Sequence, residues 1–246
     1  MKKAESGGGG GLGGDQVEGK RAVTELLKAG RRRVRTVFMV NTNVDDDIAE
    51  LAGGALKLVA PQRLEQIARS DVHQGVVAQA APLKVADLDD LLAADDAFLV
   101  ALDGVTDPRN LGAILRSAET AGATGVLLPR HRSAHITPVA AKAAAGAIEY
   151  LPMALVGGIP NALERAQRAG VWCVGLDERG QRDLTELDLA DQRIVIVLGA
   201  EGKGLARLTR DRCDMLVRIP MKGHVASLNV AAAATLACHE VARRRS

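Results

Sequence analysis

The polar residues that could do chemistry are concentrated in three short segments of the second half of the chain. The first carries Asn110 and a lone arginine, Arg116, the second carries Glu201 in a glycine-bearing turn, and the third carries Asn229. Two amides, a carboxylate and a guanidinium can orient a ligand and stabilise charge without a metal or a thiol. The segments are residues 110–121 (NLGAILRSAETA), 198–205 (LGAEGKGL) and 219–231 (IPMKGHVASLNVA).

The position of these segments along the chain predicts one shared pocket. Asn110 lies shortly after an apolar run at residues 97–102, and the other two segments follow the apolar runs 193–198 and 215–219. In open α/β sheets, ligands bind outside the carboxyl ends of the strands. No GxGxxG fingerprint is present, and GKG at 202–204 lacks the Ser or Thr that a phosphate-binding loop needs next. A dinucleotide or nucleoside triphosphate site is therefore disfavoured.

Two units in which strands and helices alternate must position the pocket, and the apolar strands of the large unit predict a mainly parallel sheet covered on both faces. The small unit, 15–80, has predicted helices at 18–29, 45–51 and 61–69, and strands at 34–40, 56–59 and 75–80. Residues 81–96 are predicted to be a partly helical linker. The large unit, 97–246, has predicted strands at 97–102, 125–128, 171–175, 193–198 and 215–219, and helices at 108–121, 137–147, 161–169 and 227–244.

Composition limits the class of protein. Formal net charge is only +2, and the three cysteines are far apart and form no CxxC pair. This argues against a zinc site or a disulfide framework, and fits a reducing cytoplasm. No apolar run approaches the ~20 residues needed to cross a bilayer. We expect a soluble cytoplasmic protein with no metal or membrane partner, preceded by a flexible tail at 1–14 that holds seven glycines.

Four stretches of the chain resemble the SpoU (TrmH) family of RNA 2′-O-ribose methyltransferases, a branch of the knotted SPOUT superfamily. Three of them cover the core of residues 97–246, and the fourth is similar to the opening of the small substrate-binding domain of bacterial rRNA members. Within the family, the resemblance is greatest to members that methylate a 23S rRNA guanosine in the peptidyl-transferase P loop. The stretches are DGVTDPRNLGAILRSAETAGATGVLLP, VLGAEGKGL, IPMKGHVASLNVAAA and, at 17–27, VEGKRAVTELL.

This resemblance implies a deep trefoil knot in the large domain, S-adenosyl-L-methionine as cofactor, a homodimer and a 23S rRNA substrate. It also implies that Asn110, Arg116, Glu201 and Asn229 form the catalytic set. The cofactor would be held, largely through backbone, by Leu198, Gly199, Ala200, Gly202, Ile219, Met221, Ser227 and Leu228.

RNA recognition is expected to depend on arginine, because the chain holds only four large aromatic residues on which bases could stack. A basic cluster is just as well explained as a solvated face. The candidate phosphate contacts are Arg31, Arg32, Arg33 and Arg35 in the small unit, and Arg109, Arg130 and Arg132 near the pocket.

Other interpretations stay open at this point. Arg116 could be a surface cation, Asn110 and Asn229 could cap helices, and Glu201 could cap its own turn. If Arg116 is catalytic, it could act as a base or as a charge stabiliser. The chain could methylate another rRNA site, as thiostrepton-resistance enzymes do, or a tRNA. It could also be an inactive RNA-binding protein of ribosome assembly.

Overall fold

The small domain is a four-stranded sheet with helices packed on it, seen in a computed structural model that describes residues 11–71, 73–131, 135–188, 192–224 and 227–245. The described strand order is β1-β4-β2-β3, with β2 and β3 parallel and the other pairs antiparallel. The strands are β1 Gln16–Glu18, β2 Val34–Val40, β3 Leu56–Val59 and β4 Val76–Ala80. The helices are α1 Lys20–Ala29, α2 Asp46–Ala52 and α3 Pro61–Ile67.

The large domain is built on a sheet that has seven parallel strands within the described residues, in the order β7-β6-β5-β10-β8-β11-β9. The strands are β5 Phe98–Asp103, β6 Gly125–Pro129, β7 Met153–Val156, β8 Trp172–Leu176, β9 Arg182–Asp183, β10 Ile194–Gly199 and β11 Met215–Arg218. The helices are α4 Leu88–Ala93, α5 Pro108–Thr120, α6 Pro138–Ala144, α7 Ile159–Arg168, α8 Arg207–Asp211 and α9 Val230–Arg244.

Helices cover both faces of this sheet, as the all-apolar strands predicted. Along β10, Ile194 and Ile196 pack with α5, α6 and α9, whereas Val195 and Val197 pack with α4 and α7. Every residue of β10 is buried. The predicted α/β class with a parallel-sheet large domain and a small α/β domain is thus confirmed, while the trefoil threading stays a prediction.

Several predicted boundaries differ from the structure. The helix expected at 18–29 begins only at Lys20, because Glu18 belongs to β1 and Gly19 adopts φ +97. The buried Glu18 carboxylate accepts hydrogen bonds from the backbone amides of Arg69 and Ser70, which holds it in the strand. The final helix begins at Val230 rather than 227, because Asn229 caps it. The short elements β1, β7, β9 and α8 were not predicted.

The segment before β1 is held against the large domain, so the prediction of a flexible tail is wrong for residues 12–14. Leu12 is buried in the core beneath α5 and α6. Gly13 pairs with Ile136, and a Cβ on Gly13 would lie 2.9 Å from the Ile136 carbonyl oxygen. Glycine is therefore needed here for close approach of two backbones. Residues 1–10 of the predicted tail lie outside the described part of the chain.

Arg245, which follows α9, is held at the edge of the sheet where the strands begin. This edge is opposite to the one that carries their carboxyl ends. Arg245 donates hydrogen bonds to the carbonyls of Asp96, Ala97 and Gln192, and its guanidinium lies 5.3 Å from the Phe98 ring centroid. Helix α9 therefore spans the sheet with both ends anchored. In the part of the chain that the structure describes, no helix has the length and apolar character that a bilayer crossing requires.

Leu12 provides a test of the docked segment. Leu12→Ala removes a side chain that is 2% exposed, so we expect unfolding free energy to fall by about 2–5 kcal/mol, because burial is reduced and a cavity remains. The thermal unfolding midpoint should fall by several degrees. Leu208→Ala is the matched control, because Leu208 is 70% exposed and should leave the midpoint unchanged. Equal midpoints for the two variants would contradict the docking.

Candidate functional site

A cavity of about 590 Å³ opens at the carboxyl ends of β8, β10 and β11. Its size falls within the roughly 300–1,000 Å³ typical of pockets for small organic ligands. The segment following each of the three strands lines it: residues 177–179 after β8, 200–204 after β10, and 219–221 after β11. The parallel register aligns the ends of neighbouring strands, since Leu198 of β10 pairs with Leu176 of β8. The cavity therefore sits where an α/β sheet binds its ligand.

The turn after β10 is closed by backbone alone. Ala200 and Gly204 exchange two hydrogen bonds, of 3.0 and 2.9 Å, between their amides and carbonyls. A Cβ on Gly199 would lie 2.1 Å from the Gly204 carbonyl carbon, so no side chain fits at that position. The turn places Glu201 at its tip, next to Gly202 with φ +74.

All eight residues predicted to hold the cofactor line this cavity. Met221 and Leu228 are large apolar side chains that remain 38% and 39% exposed on its wall. Exposed apolar side chains grouped in a concave site are typical of ligand binding. The eight lining residues are Leu198, Gly199, Ala200, Gly202, Ile219, Met221, Ser227 and Leu228. Contact of these residues with a cofactor stays a prediction.

Three of the four predicted catalytic residues meet in one hydrogen-bonded network. The Asn110 side-chain amide donates to Glu201 Oε2 at 3.1 Å. The Asn229 amide donates to Asn110 Oδ1 at 3.1 Å and to Glu201 Oε1 at 3.3 Å. Glu201 and Asn229 are 91 and 119 positions away from Asn110 in the chain, so the fold alone brings them together.

The network also explains which residues cap the helices. Asn229 Oδ1 accepts from the backbone amides of Ala231 and Ala232, so Asn229 caps α9 while its amide group holds Glu201. Asp107, not Asn110, caps α5 through the amide of Arg109. Asn110 can therefore use its side chain in the site, and Glu201 accepts from the two asparagines rather than from its own turn.

Arg116 lies apart from this network. It is six residues beyond Asn110 on α5, which places the two side chains about 120° apart around the helix. Its side chain is exposed and makes no hydrogen bond or ion pair within the described residues. Arg116 therefore faces solvent, from which a large substrate would approach.

Two charged residues that were not predicted from the sequence, Asp177 and Arg210, line one side of the cavity. Asp177 is only 8% exposed, and its Oδ2 accepts from Arg210 Nε at 2.9 Å. Arg210 Nη2 also donates to the Leu205 carbonyl at 3.0 Å. Both residues line the cavity and offer an acceptor and donors to the polar parts of a ligand. The available signal was the position of Asp177 directly after strand β8, at the same sheet edge as the other loops.

Thiol and metal chemistry find no support in the described residues. Burial is the main cause that raises the pKa of Cys213 and of Cys238 to about 12, and it raises the pKa of Cys173 as well. None of the three thiols is therefore a thiolate at neutral pH. No group of three or more His, Cys, Asp or Glu side chains suited to a metal occurs in the ranges described.

The candidate RNA-binding arginines divide into three groups. Five are exposed, namely Arg31, Arg33, Arg35, Arg109 and Arg130. Arg132 lies outside the described residues. Arg32 is 5% exposed at its side chain and forms an ion pair of 2.6 Å with the buried Glu149. A guanidinium enclosed in this way has no free face for a phosphate, so the assignment of Arg32 to RNA binding is wrong.

Two family models match the chain. Residues 97–239 match the SpoU rRNA Methylase family. Residues 16–86 match the family described as RNA 2′-O ribose methyltransferase substrate binding. The first match contains the cavity and the Asn110–Glu201–Asn229 network, and the second contains the small sheet.

Curated relatives and solved structures agree with these matches. The chain is 40% identical over 242 residues to the 23S rRNA (guanosine-2′-O-)-methyltransferase RlmB of Pseudomonas syringae pv. tomato, covering 94% of this chain and 96% of that protein. The Escherichia coli K12 protein of the same name is 38% identical over 242 residues, covering 94% and 99%. The SpoU methyltransferase AviRb from Streptomyces viridochromogenes, solved in complex with AdoMet, superposes with a TM-score of 0.80 at 29% identity, covering 94% of this chain and 89% of AviRb.

Substitutions of Asn229 can separate its two roles. Asn229→Ser keeps an oxygen that caps α9 but removes the amide donors to Glu201 and Asn110, whereas Asn229→Ala removes both. We expect the Ala variant to lose about 1 kcal/mol of unfolding free energy and the Ser variant much less. Both variants should lose the activity of the site to a similar extent. If Asn229→Ser kept its activity as well as its stability, and only Asn229→Ala lost both, Asn229 would be no more than a cap.

Proposed function

Because the chain belongs to the SpoU rRNA methylase family, we propose that it transfers a methyl group from S-adenosyl-L-methionine to a ribose 2′-hydroxyl in 23S rRNA. The target we propose is a guanosine of the peptidyl-transferase P loop. The observation that carries the proposal is the Asn110–Glu201–Asn229 network at the wall of a backbone-lined cavity. The names of the relatives support the substrate class.

The cavity fits the proposed cofactor. Its exposed apolar side chains, Met221 and Leu228, can pack against a flat heteroaromatic ring, while Asp177 and Arg210 offer polar contacts to the sugar and the amino acid part. The absence of a Cβ at Gly199 lets backbone amides and carbonyls of the turn line the wall. When bound, S-adenosyl-L-methionine supplies a methyl group that its sulfonium centre has already activated.

The protein must then deal with a weak nucleophile. If the pKa of a ribose hydroxyl is about 12–13, ionising it at neutral pH costs roughly 7–8 kcal/mol. Side chains that orient the hydroxyl and stabilise its developing negative charge lower this cost during the reaction. In our proposal the amides of Asn110 and Asn229, fixed by Glu201, position the sugar.

Arg116 supplies the positive charge in this mechanism. A guanidinium resists deprotonation, so it suits charge stabilisation rather than proton removal. Because Arg116 faces solvent and has no side-chain partner in the described residues, it meets the ribose or an adjacent phosphate only when RNA is bound. We assign it this stabilising and positioning role.

We also propose a homodimer acting in the cytoplasm, as the family resemblance implies. Leu236 on α9 is a large apolar side chain that is 48% exposed, and in our proposal it contacts the second protomer. Helix α9 packs beside α5, the helix that carries Asn110 and Arg116.

The first experiment tests both the proposed methyl transfer and the role of Arg116 in it. Purified protein should transfer a labelled methyl group from S-adenosyl-L-methionine to 23S rRNA, and mapping should place the mark on a ribose 2′-oxygen. Arg116→Ala should nearly abolish transfer while leaving cofactor affinity in calorimetry unchanged, because Arg116 lies outside the cavity lining. Arg207→Ala, at an arginine side chain that is 89% exposed, is the matched control and should remain active.

Other outcomes would contradict parts of this proposal. A mark on tRNA or at another rRNA position would replace the proposed target, and binding of rRNA without transfer would indicate an assembly protein. Loss of cofactor binding in Arg116→Ala would contradict the assigned role of Arg116.

The second test concerns the exposed arginines. If they neutralise phosphates, log affinity for an rRNA fragment should fall steeply with log salt concentration. Each of Arg33→Gln and Arg130→Gln should lower the magnitude of that slope by roughly 0.7–0.9 for every phosphate that the arginine neutralised. Arg168→Gln, on an exposed arginine of α7 paired with Glu164, should leave the slope unchanged. Fluorescence anisotropy across a salt series measures this, and an unaltered slope in the first two variants would reject the assignment.

A further inference from the structure

A buried ion pair joins the small domain to the large one. Arg32 precedes β2 of the small domain, and Glu149 ends a single 3-10 turn after α6 of the large domain. Their side chains are 5% and 1% exposed, and the contact is bidentate: Arg32 Nε donates to Oε2 at 2.7 Å and Nη2 donates to Oε1 at 2.6 Å. Such a paired geometry fixes orientation as well as distance.

The same guanidinium also holds the two chain connections between the domains. Arg32 Nη1 donates to the Gly14 carbonyl at 2.6 Å and to the Ala81 carbonyl at 2.7 Å. Gly14 lies on the segment that leaves the large domain towards β1, and Ala81 directly follows β4 on the way back. The Arg32 side chain therefore contacts both of the chain segments that connect the domains, and Glu149 as well.

Contacts around this pair leave little room for the small domain to turn. Arg31 donates to the Tyr150 carbonyl at 3.0 Å and lies 5.4 Å from its ring centroid. The Tyr150 hydroxyl donates to Glu25 of α1 at 3.0 Å. A Cβ on Gly146 would lie 2.3 Å from the Glu25 Cβ, so the turn at 146–150 is packed directly against α1.

The docking turn is connected to the reaction site by close helix packing. It follows α6, and α6 lies so near α5 that a Cβ on Gly112 would be 2.3 Å from the Ala140 carbonyl oxygen. Helix α5 carries Asn110 and Arg116. The small domain is thus fixed to the layer of helices that presents these residues.

We propose that Arg32 and Glu149 form an interdomain clamp, a positioning device that sets where RNA held by the small domain meets the methyl-donor cavity. This inference rests on the proposed function. Fixing two RNA-binding surfaces relative to each other raises the effective concentration of the target nucleotide at the cavity. A freely turning small domain would still bind RNA, but would present the ribose at the cavity less often.

The experiment compares Arg32→Gln, Glu149→Gln and the double variant with Arg168→Gln, which removes one exposed charge within α7. Each single variant leaves a buried charge unpaired, so we expect it to be less stable than the double variant. The double variant has neither charge of the pair and should fold. In the double variant we expect KM for a 23S rRNA fragment to rise about tenfold, with kcat and cofactor affinity within about twofold of the wild type. Small-angle X-ray scattering of the free protein should show a broader distribution of domain arrangements.

The clamp is overturned if the folded double variant keeps both the wild-type KM and the wild-type scattering profile, or if it loses kcat with no change in KM. A wild-type protein that transfers no methyl group to rRNA would overturn the proposed function instead. In that case the scattering comparison still decides the clamp, because an unchanged profile rejects it and a broadened one supports it. Arg168→Gln should match the wild type in every measurement.

Discussion

A Cβ on Gly199 would stand 2.1 Å from the carbonyl carbon of Gly204, and this close backbone contact shapes the candidate site. It lets the chain fold back immediately after β10, so that Glu201 is carried at the tip of a short turn rather than on a long loop. Strand β10 lies between β5 and β8, and the parallel register puts the end of each strand at the same edge. Asn110, in the first turn of α5, and Asp177 reach the site because the chain leaves β5 and β8 at that edge.

Helix α9 links this edge of the sheet to the opposite one. Asn229 caps its first turn and holds Glu201, while Arg245, just beyond its last residue, binds carbonyls at the amino-terminal ends of β5 and β10. The core-facing residues of the helix, such as Ala234 and Cys238, are fully buried against the sheet. A shift at the C-terminal end of the helix would therefore move the amide that positions Glu201. The Asn229 side chain thus combines the capping of α9 with its place in the network of the candidate site.

Sequence patterns were sufficient where the physical signal is local. The apolar run of β10 predicted a strand buried on both faces. Three polar segments after apolar runs predicted a shared pocket; the second and third line the cavity, and the first joins them through the hydrogen bonds of Asn110. The family resemblance grouped Asn110, Glu201 and Asn229 as catalytic residues, but their hydrogen bonds to one another were not predicted, since the three are separated by tens of residues. Asp177 was missed although the same rule about strand ends applies to it. The two-residue β9 carries too few residues for a periodic signal.

The arginine run at 31–35 shows most clearly that composition alone does not predict which charged side chains are buried. Arg31 and Arg33 are exposed, while Arg32 between them is enclosed by Glu149 and two carbonyls. Nothing within the run distinguishes Arg32, because its partner lies 117 residues away. A buried ion pair is a weak source of net stability, since removing two charges from water offsets most of their attraction. Its advantage over apolar packing is direction: a bidentate pair with two further carbonyl acceptors permits one orientation. An interface that must hold one domain at a set angle to a reaction site gains from that restriction.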